Sequence, residues 1–321
     1  MRYRTCRPPA GTLRRLRAIV CAAAASAVLA ATAPAQAQDE AVTITTTPTD
    51  SGMQVFYALD RGFFKQAGLD AKVTITALGA SIGAAVSGGA VDIGTTATTV
   101  VVSAHAHGIP IVTIAPGAEY SSKNPTTEIV VNGSSSIESP ADLTGKTVAV
   151  LGIRSITQQA VQAWLDANGG NSKAVKYIEM PFSLMPAALK AGRIDAAFIS
   201  EPVLSRALAD GARVIGQPYD AIGSSFLINV WFCTEAFAKA HPDIVQKFVR
   251  AVSEASRWAN THHAESAAIL EKHSKTKVAA NMVRVAYGED LSAAEIQPVI
   301  DISAKYGTIP AAFPAADLLT R

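Results

Sequence analysis

The sequence predicts an α/β protein of two lobes, each a mixed, mostly parallel sheet flanked by helices, with a helical tail on the first. Two observations carry that expectation. Residues 84–94 and 187–197 share one pattern of two alanines, an aliphatic residue, two variable positions, Gly, one more position, an aliphatic residue, Asp and small residues. The offset is constant, 103 residues from Gly89 to Gly192 and from Asp92 to Asp195. Each copy reads as a helix stopped by a left-handed glycine and leading into a buried strand. The second observation is the chemistry just past each copy: Thr95-Thr96 after the first and Ser200-Glu201 after the second, where a strand hands over to a helix. In open α/β sheets that carboxyl edge is where ligands bind, and two such edges facing each other make a cleft.

The chain begins with six arginines and no acid in residues 1–17, then an unbroken run of apolar and small residues over 18–33. Small residues at Ala35 and Ala37 offer a cleavage site, so residues 1–37 read as a signal peptide, exported by the general route without an anchor. Loss of six of the 28 basic residues leaves 22 against 26 acids, a net charge of −4. That balance gives no electrostatic reason to expect nucleic acid as a partner. Cys6 and Cys21 leave with the peptide, and Cys233 alone predicts no internal disulfide. Stability then rests on burial, which 284 remaining residues can supply.

Residues 41–47 alternate Val42 and Ile44 with threonines, a strand stopped by Pro48, and the loop after it holds Ser51. Phe56, Tyr57, Leu59, Phe63 and Phe64 give the next helix its apolar stripe, ending near Gly68. A strand over 73–77 precedes a helix opened by Gly79, with Ser81 as its cap. Residues 95–107 fit either a strand or a helix, because Thr and Val dominate them. Residues 111–115 are a strand and 119–127 a polar connection. In the second lobe, strands are expected over 147–151, 175–180, 196–200 and 213–216. The helices between them cover 184–191 and 201–209, and one that begins at Ser155, where Ser155 and Gln158 make a capping box. Past 218–221 the chain returns to the first lobe, and Pro242 opens a long amphipathic helix whose apolar face includes Phe248 and Trp258. The expected boundaries are therefore 38–118 with 222–321 for the first lobe, 129–217 for the second, and crossings at 119–128 and 218–221.

Several motifs in this order resemble one family. They are Tyr57-Ala58, Gly62 to Leu69, Gly89 to Gly94, Asp142-Leu143-Thr144-Gly145-Lys146, residues 187–197 with Glu201-Pro202, and His241-Pro242 before the long helix. The resemblance is to the periplasmic binding proteins of nitrate, sulfonate, taurine and thiamine-precursor importers. It implies a two-lobed type II binding protein that closes on a small solute and delivers it, as a monomer, to an ABC permease in the inner membrane. Ser200 departs from the pattern, where the family often has an aromatic residue before Glu-Pro.

The residues themselves agree with binding and do not identify the solute; an organic or inorganic anion such as a sulfonate, carboxylate or nitrate is what the resemblance implies, with an amine or aminopyrimidine left open by Glu201. Arg154 and Ser155 sit at a helix start, where free N–H groups and the dipole favour negative charge, and Thr157 lies in that first turn. Ser81, Thr95 and Thr96 offer hydroxyls from the opposite lobe. Glu201 either accepts from an amine, pairs with Arg154, or is a plain first-turn acid. No cofactor or metal is expected: His105 and His107 share no helix face, and His262-His263 with Glu265 lacks zinc-site spacing. No phosphate loop or Gly-x-Ser-x-Gly turn is present. An enzyme on the same two-lobed fold, of the thiamine-pyrimidine synthase or menaquinone-pathway kind, and a sensor binding protein are the alternatives.

Overall fold

The structure, a computed structural model, describes residues 39–319, so the expected signal peptide lies outside the described residues. The first sheet is built from β1 (Glu40–Thr46), β2 (Leu69–Ile75), β3 (Ile93–Ala97) and β4 (Ile111–Pro116), joined by helices. The stripe expected to make one helix makes two, α1 (Gln54–Asp60) and α2 (Phe63–Gln66), because Gly62 takes φ +77° and turns the chain. The next helices are α3 (Gly79–Ser87) and α4 (Thr98–Ala106). Residues 95–107, ambiguous in sequence, therefore divide into the end of β3 and all of α4. The helix α3 starts after Leu78 with no side-chain cap, and Ser81 is exposed inside its first turn, not a cap.

The polar stretch 119–127 hides a strand, β5 (Ala118–Ser121), before the second sheet begins with β6 (Thr127–Asn132) and β7 (Thr147–Val150). Next in the chain are α5 (Ile156–Ala167), β8 (Lys176–Glu179), α6 (Met185–Lys190), β9 (Ala196–Ser200), α7 (Val203–Ala209) and β10 (Ala212–Gly216). The chain continues through β11 (Ser225–Leu227), β12 (Asn229–Thr234), α8 (Glu235–Ala240), α9 (Pro242–Thr261), α10 (His263–Ser274), β13 (Ala286–Tyr287) and α11 (Ala293–Lys305).

The two large sheets have one plan. Their orders are β2-β1-β3-β12-β4 and β8-β7-β9-β6-β10, with β12 and β6 antiparallel to both neighbours and the other strands running one way. The repeat has its structural basis here. Gly89 and Gly192 take φ +72° and +66°, as the pattern requires. Asp92 Oδ2 accepts the Thr43 N–H at 2.8 Å, and Asp195 Oδ2 accepts the Thr147 N–H at 2.8 Å. In both sheets the aspartate ties the entry of its own strand to the strand beside it. It satisfies an amide that the ladder leaves open.

The tail is not purely helical, since β13 pairs with β5 in a third sheet ordered β11-β5-β13. The long helix α9 buries Ile244, Phe248, Ala251, Val252 and Ala255 at helical spacing. Phe248 stacks on Phe64 of α2, with ring centroids 6.0 Å apart, and meets Trp231 of β12 edge-on. No helix among the described residues is long and apolar enough to cross a membrane.

Candidate functional site

The carboxyl ends of β1 and β3 and those of β7, β8 and β9 border one cavity of about 150 Å³. From the first sheet come Thr47, Thr49 and Ser51 after β1, Thr96 and Ala97 of β3, and Asn229 at the start of β12. From the second come residues 151–157, Glu179, Ser200 and Thr127. Leu78, Val100, Leu151, Ile153, Phe182, Tyr219 and Ile228 give it apolar walls. A cavity of this size holds a body on the order of a benzene ring.

Of the residues expected to bind a ligand, Ser51, Thr96, Arg154, Ser155 and Thr157 line this cavity. Ser81, Thr95 and Glu201 do not. Thr95 is fully buried, its hydroxyl donating to Val230 O at 3.1 Å and accepting from Asn229 Nδ2 at 3.0 Å. Glu201 is buried too, outside α7 rather than in its first turn. Its carboxylate accepts from the Ser205 N–H at 3.0 Å and hydroxyl at 2.6 Å, not from Arg154. Burial raises its pKa; the Ser205 hydrogen bonds oppose that shift, and the charges of Asp50 and Glu128 add to it.

Arg154 stands where β7 turns into α5, at φ +59°, with its N–H on Gln158 Oε1 at 2.5 Å. Its Nη2 donates to the carbonyls of Gly307 (3.0 Å) and Thr308 (3.3 Å), just beyond α11. The guanidinium thus binds backbone beyond α11, and Arg154 also borders the cavity. Ser155 is the N-cap residue, in extended backbone, but it forms no capping box. Gln158 accepts from Arg154 instead, and Ser155 Oγ donates to Gly152 O at 2.6 Å while Thr157 Oγ1 lies 2.7 Å away. The first helical amide, Ile156 N–H, donates to Thr99 Oγ1 of α4 at 3.1 Å. Thr157, buried against the cavity, belongs to the same first turn of a helix whose leading amides lack intrahelical partners. Gly79 and Ala80, the first residues of α3, line the opposite wall. A Cβ on Gly79 would come within 2.6 Å of Thr96 Oγ1, so only glycine lets the helix start this close to β3.

The residues that sequence reasoning missed are Thr47, Thr49, Asn229 and Glu179. Thr47, Thr49 and Ser51 form a chain of hydroxyls at 3.0 and 2.9 Å, two bonds among three protons, which leaves one donor unused. Their loop is held from below. Asp50 is buried and takes Nε and Nη2 of Arg284 at 3.0 and 2.8 Å, together with the Val285 N–H at 2.9 Å. Tyr287 OH donates to Asp50 O, and Asn229 Nδ2 to Ser51 O at 3.0 Å. Burial disfavours charge on Arg284, but Asp50 overrides it and its pKa is raised. Alternating Thr-x-Thr-x-Ser after a strand was the available signal for the hydroxyls. Arg284 and Asn229, 234 and 178 residues from Asp50 and Ser51 of the loop they hold, had none.

No His, Cys or Lys is found among the cavity's described lining residues, and no cluster of metal-ligating side chains among the described residues. The Cys233 thiol is buried, which pushes its pKa up to about 12. What the cavity offers chemically is hydroxyls, the Asn229 amide, two helix starts, an apolar wall and one carboxylate, Glu179, which accepts from the Ile153 N–H at 3.0 Å.

A taurine-binding periplasmic protein of Escherichia coli K12 is 27% identical to this chain over 198 residues, 62% of the chain and 60% of that protein. The chain thus spans about three fifths of the length of the curated relatives it matches. The periplasmic aliphatic sulphonate binding protein SsuA of E. coli superposes with a TM-score of 0.69 at 20% identity, covering 88% of this chain and 92% of that one. The desulfurization enzyme DSZB shares the fold at a TM-score of 0.64 and 14% identity, covering 88% and 96%. Residues 51–266 match the family described as NMT1/THI5 like, and the chain belongs to that family, folded as the periplasmic binding proteins are.

Proposed function

We propose that this protein is the solute-binding component of an ABC-type importer, exported to the periplasm with its signal peptide removed near Ala37. In this reading residues 38–118 with 222–321 and residues 129–217 are two lobes, crossing at 119–128 and 218–221. They close as a monomer on a small organic anion and deliver it to a membrane permease. One observation carries it: the N-termini of α3 and α5, one from each side, meet at a single cavity rimmed by hydroxyls. Each helix start favours negative charge by about 0.3–1 kcal/mol, and more where water is excluded. The apolar walls favour a carbon body behind the charged group, as in a sulfonate or carboxylate, over bare nitrate. Ser51, Thr96, Ser155 and Thr157 are the contacts proposed for the anionic group, with Arg154 bridging the lobes beside it.

Binding is favoured over catalysis because Glu179, the one carboxylate among the cavity's described lining residues, accepts from the Ile153 N–H at 3.0 Å, while the cavity hydroxyls bond to one another. A thermal-shift comparison of benzenesulfonate, benzoate, nitrate and benzylammonium tests the reading. The two aromatic anions should stabilise the protein, by about 2.7 kcal/mol at a hundred times Kd, and nitrate should do so less. Stabilisation by benzylammonium alone would reverse the sign of the site and overturn the proposal.

A further inference from the structure

The ring of Tyr219 forms part of the cavity's apolar wall, and it is carried on the turn Pro218–Ala221, the second of the proposed crossings. The residue is 2% exposed, yet its hydroxyl makes no hydrogen bond with the described residues. That oxygen is not sealed off either, and the cavity is the open space that Tyr219 borders. Every other polar side chain on the cavity wall has a partner in the protein. Asn229, for one, takes the Ala118 N–H on Oδ1 at 2.7 Å and commits Nδ2 to Ser51 O, and Thr96 Oγ1 donates to Gly79 O at 3.0 Å. The phenol cannot swing round to find a partner of its own. Its ring meets those of Tyr120, Phe198 and Phe226 at steep angles, with centroids 5.2, 4.9 and 5.4 Å away, and the Tyr120 hydroxyl is fixed in turn by its bond to Asp220 Oδ1 at 2.7 Å. Burial alone raises the Tyr219 pKa, so the phenol is neutral and keeps a proton to donate.

We infer that Tyr219 sets specificity by donating a hydrogen bond to an uncharged oxygen, of a hydroxyl or carbonyl group, on the body of the solute and apart from its anionic group. The inference rests on the proposed anion-binding function and adds a second polar group to the solute. The anionic group is met by the starts of α3 and α5 and the hydroxyls beside them; Tyr219 enters from a different element, the turn between β10 and β11. A solute with only hydrocarbon against it leaves the phenol buried and unpaired, and one with an oxygen there satisfies it.

Calorimetric titration of residues 38–321 with benzenesulfonate, its 3- and 4-methyl derivatives and the corresponding hydroxy and formyl compounds tests this. In the wild type at least one oxygen-bearing compound should bind more tightly than the methyl compound substituted at the same position. Tyr219→Phe keeps the packed ring and removes only the hydroxyl. It should cost that compound roughly twofold to tenfold more affinity than it costs benzenesulfonate. Unliganded, the variant should unfold at a urea concentration no lower than the wild type, because no bond within the protein is lost. The role of Tyr219 is disproved if benzenesulfonate binds but no oxygen-bearing compound is preferred, if Tyr219→Phe weakens all the sulfonates alike, or if the unliganded variant loses stability as it would on losing a protein hydrogen bond. If no sulfonate binds the wild type at all, the anion reading itself fails and the inference falls with it.

Discussion

Asp50 and Arg284 show how a single ion pair supports the site. Neither touches the cavity, yet Thr49 and Ser51 flank Asp50 and can hold their hydroxyls in line only while that residue stays anchored. Both side chains are nearly inaccessible, 2% and 8% exposed. Removing one partner of such a pair strands the other charge, so Arg284→Met should lower the unfolding free energy by about 3–5 kcal/mol in urea titration. Glu201 makes a second test, through pH. Its folded pKa is raised by burial, so between the unfolded value of about 4.3 and that raised value the native state holds the extra proton. The unfolded chain binds fewer protons there, and stability falls as pH rises through the window. Glu201→Gln should flatten this part of the profile, seen as urea midpoints that change less with pH than those of the wild type. A wild-type profile rising with pH in step with Glu201 would contradict the burial assigned to it.

At the scale of elements, α5 packs against α11 and the residues after it, the contact on which the proposed closure would rest. Gln159 Nε2 donates to Thr308 Oγ1 at 2.6 Å and its Oε1 accepts from Ser303 Oγ at 3.3 Å, both buried. Tyr306 OH donates to Asp166 Oδ2 at 3.0 Å, and Arg154 reaches the carbonyls of Gly307 and Thr308. Gln159→Leu removes two of these bonds and leaves the Thr308 and Ser303 hydroxyls to other partners, at about 1–3 kcal/mol. The predicted result is an apparent Kd for benzenesulfonate weakened roughly tenfold, with the unliganded protein's unfolding midpoint changed far less than by Arg284→Met. Much at this scale was legible. The helix α9 was readable from its apolar spacing, and Gly89 and Gly192 fixed their turns because only a residue without Cβ takes that backbone freely. What failed did so for physical reasons. Gly62 broke an apolar stripe that periodicity alone joined, and β5 is too polar to read as a strand because its ladder partners lie over a hundred residues away. Ser155 began its helix as expected, but Gln158 Oε1 takes the Arg154 N–H and Ser155 Oγ donates to Gly152 O, so no capping box closes.

The whole molecule repeats one sheet plan twice, and that is why a repeat 103 residues apart was informative: it marks the same corner of each sheet. The candidate site was legible where a strand edge carried small polar residues, as at Thr96 and Ser155. It was illegible where position came from the opposite sheet. Glu201 comes after the second repeat as Thr95 does after the first, yet both are turned into the protein, because Ser205 and Asn229 bind them there. Arg154 reads as an anion ligand in isolation and as a bridge once the residues after α11 are beside it. Closure on an anion is the central claim, and small-angle scattering from residues 38–321, titrated with benzenesulfonate to calorimetric saturation, tests it most directly. The radius of gyration should fall in step with site occupancy and stay constant with benzylammonium at the same concentration. Full occupancy by benzenesulfonate with an unchanged radius would contradict it.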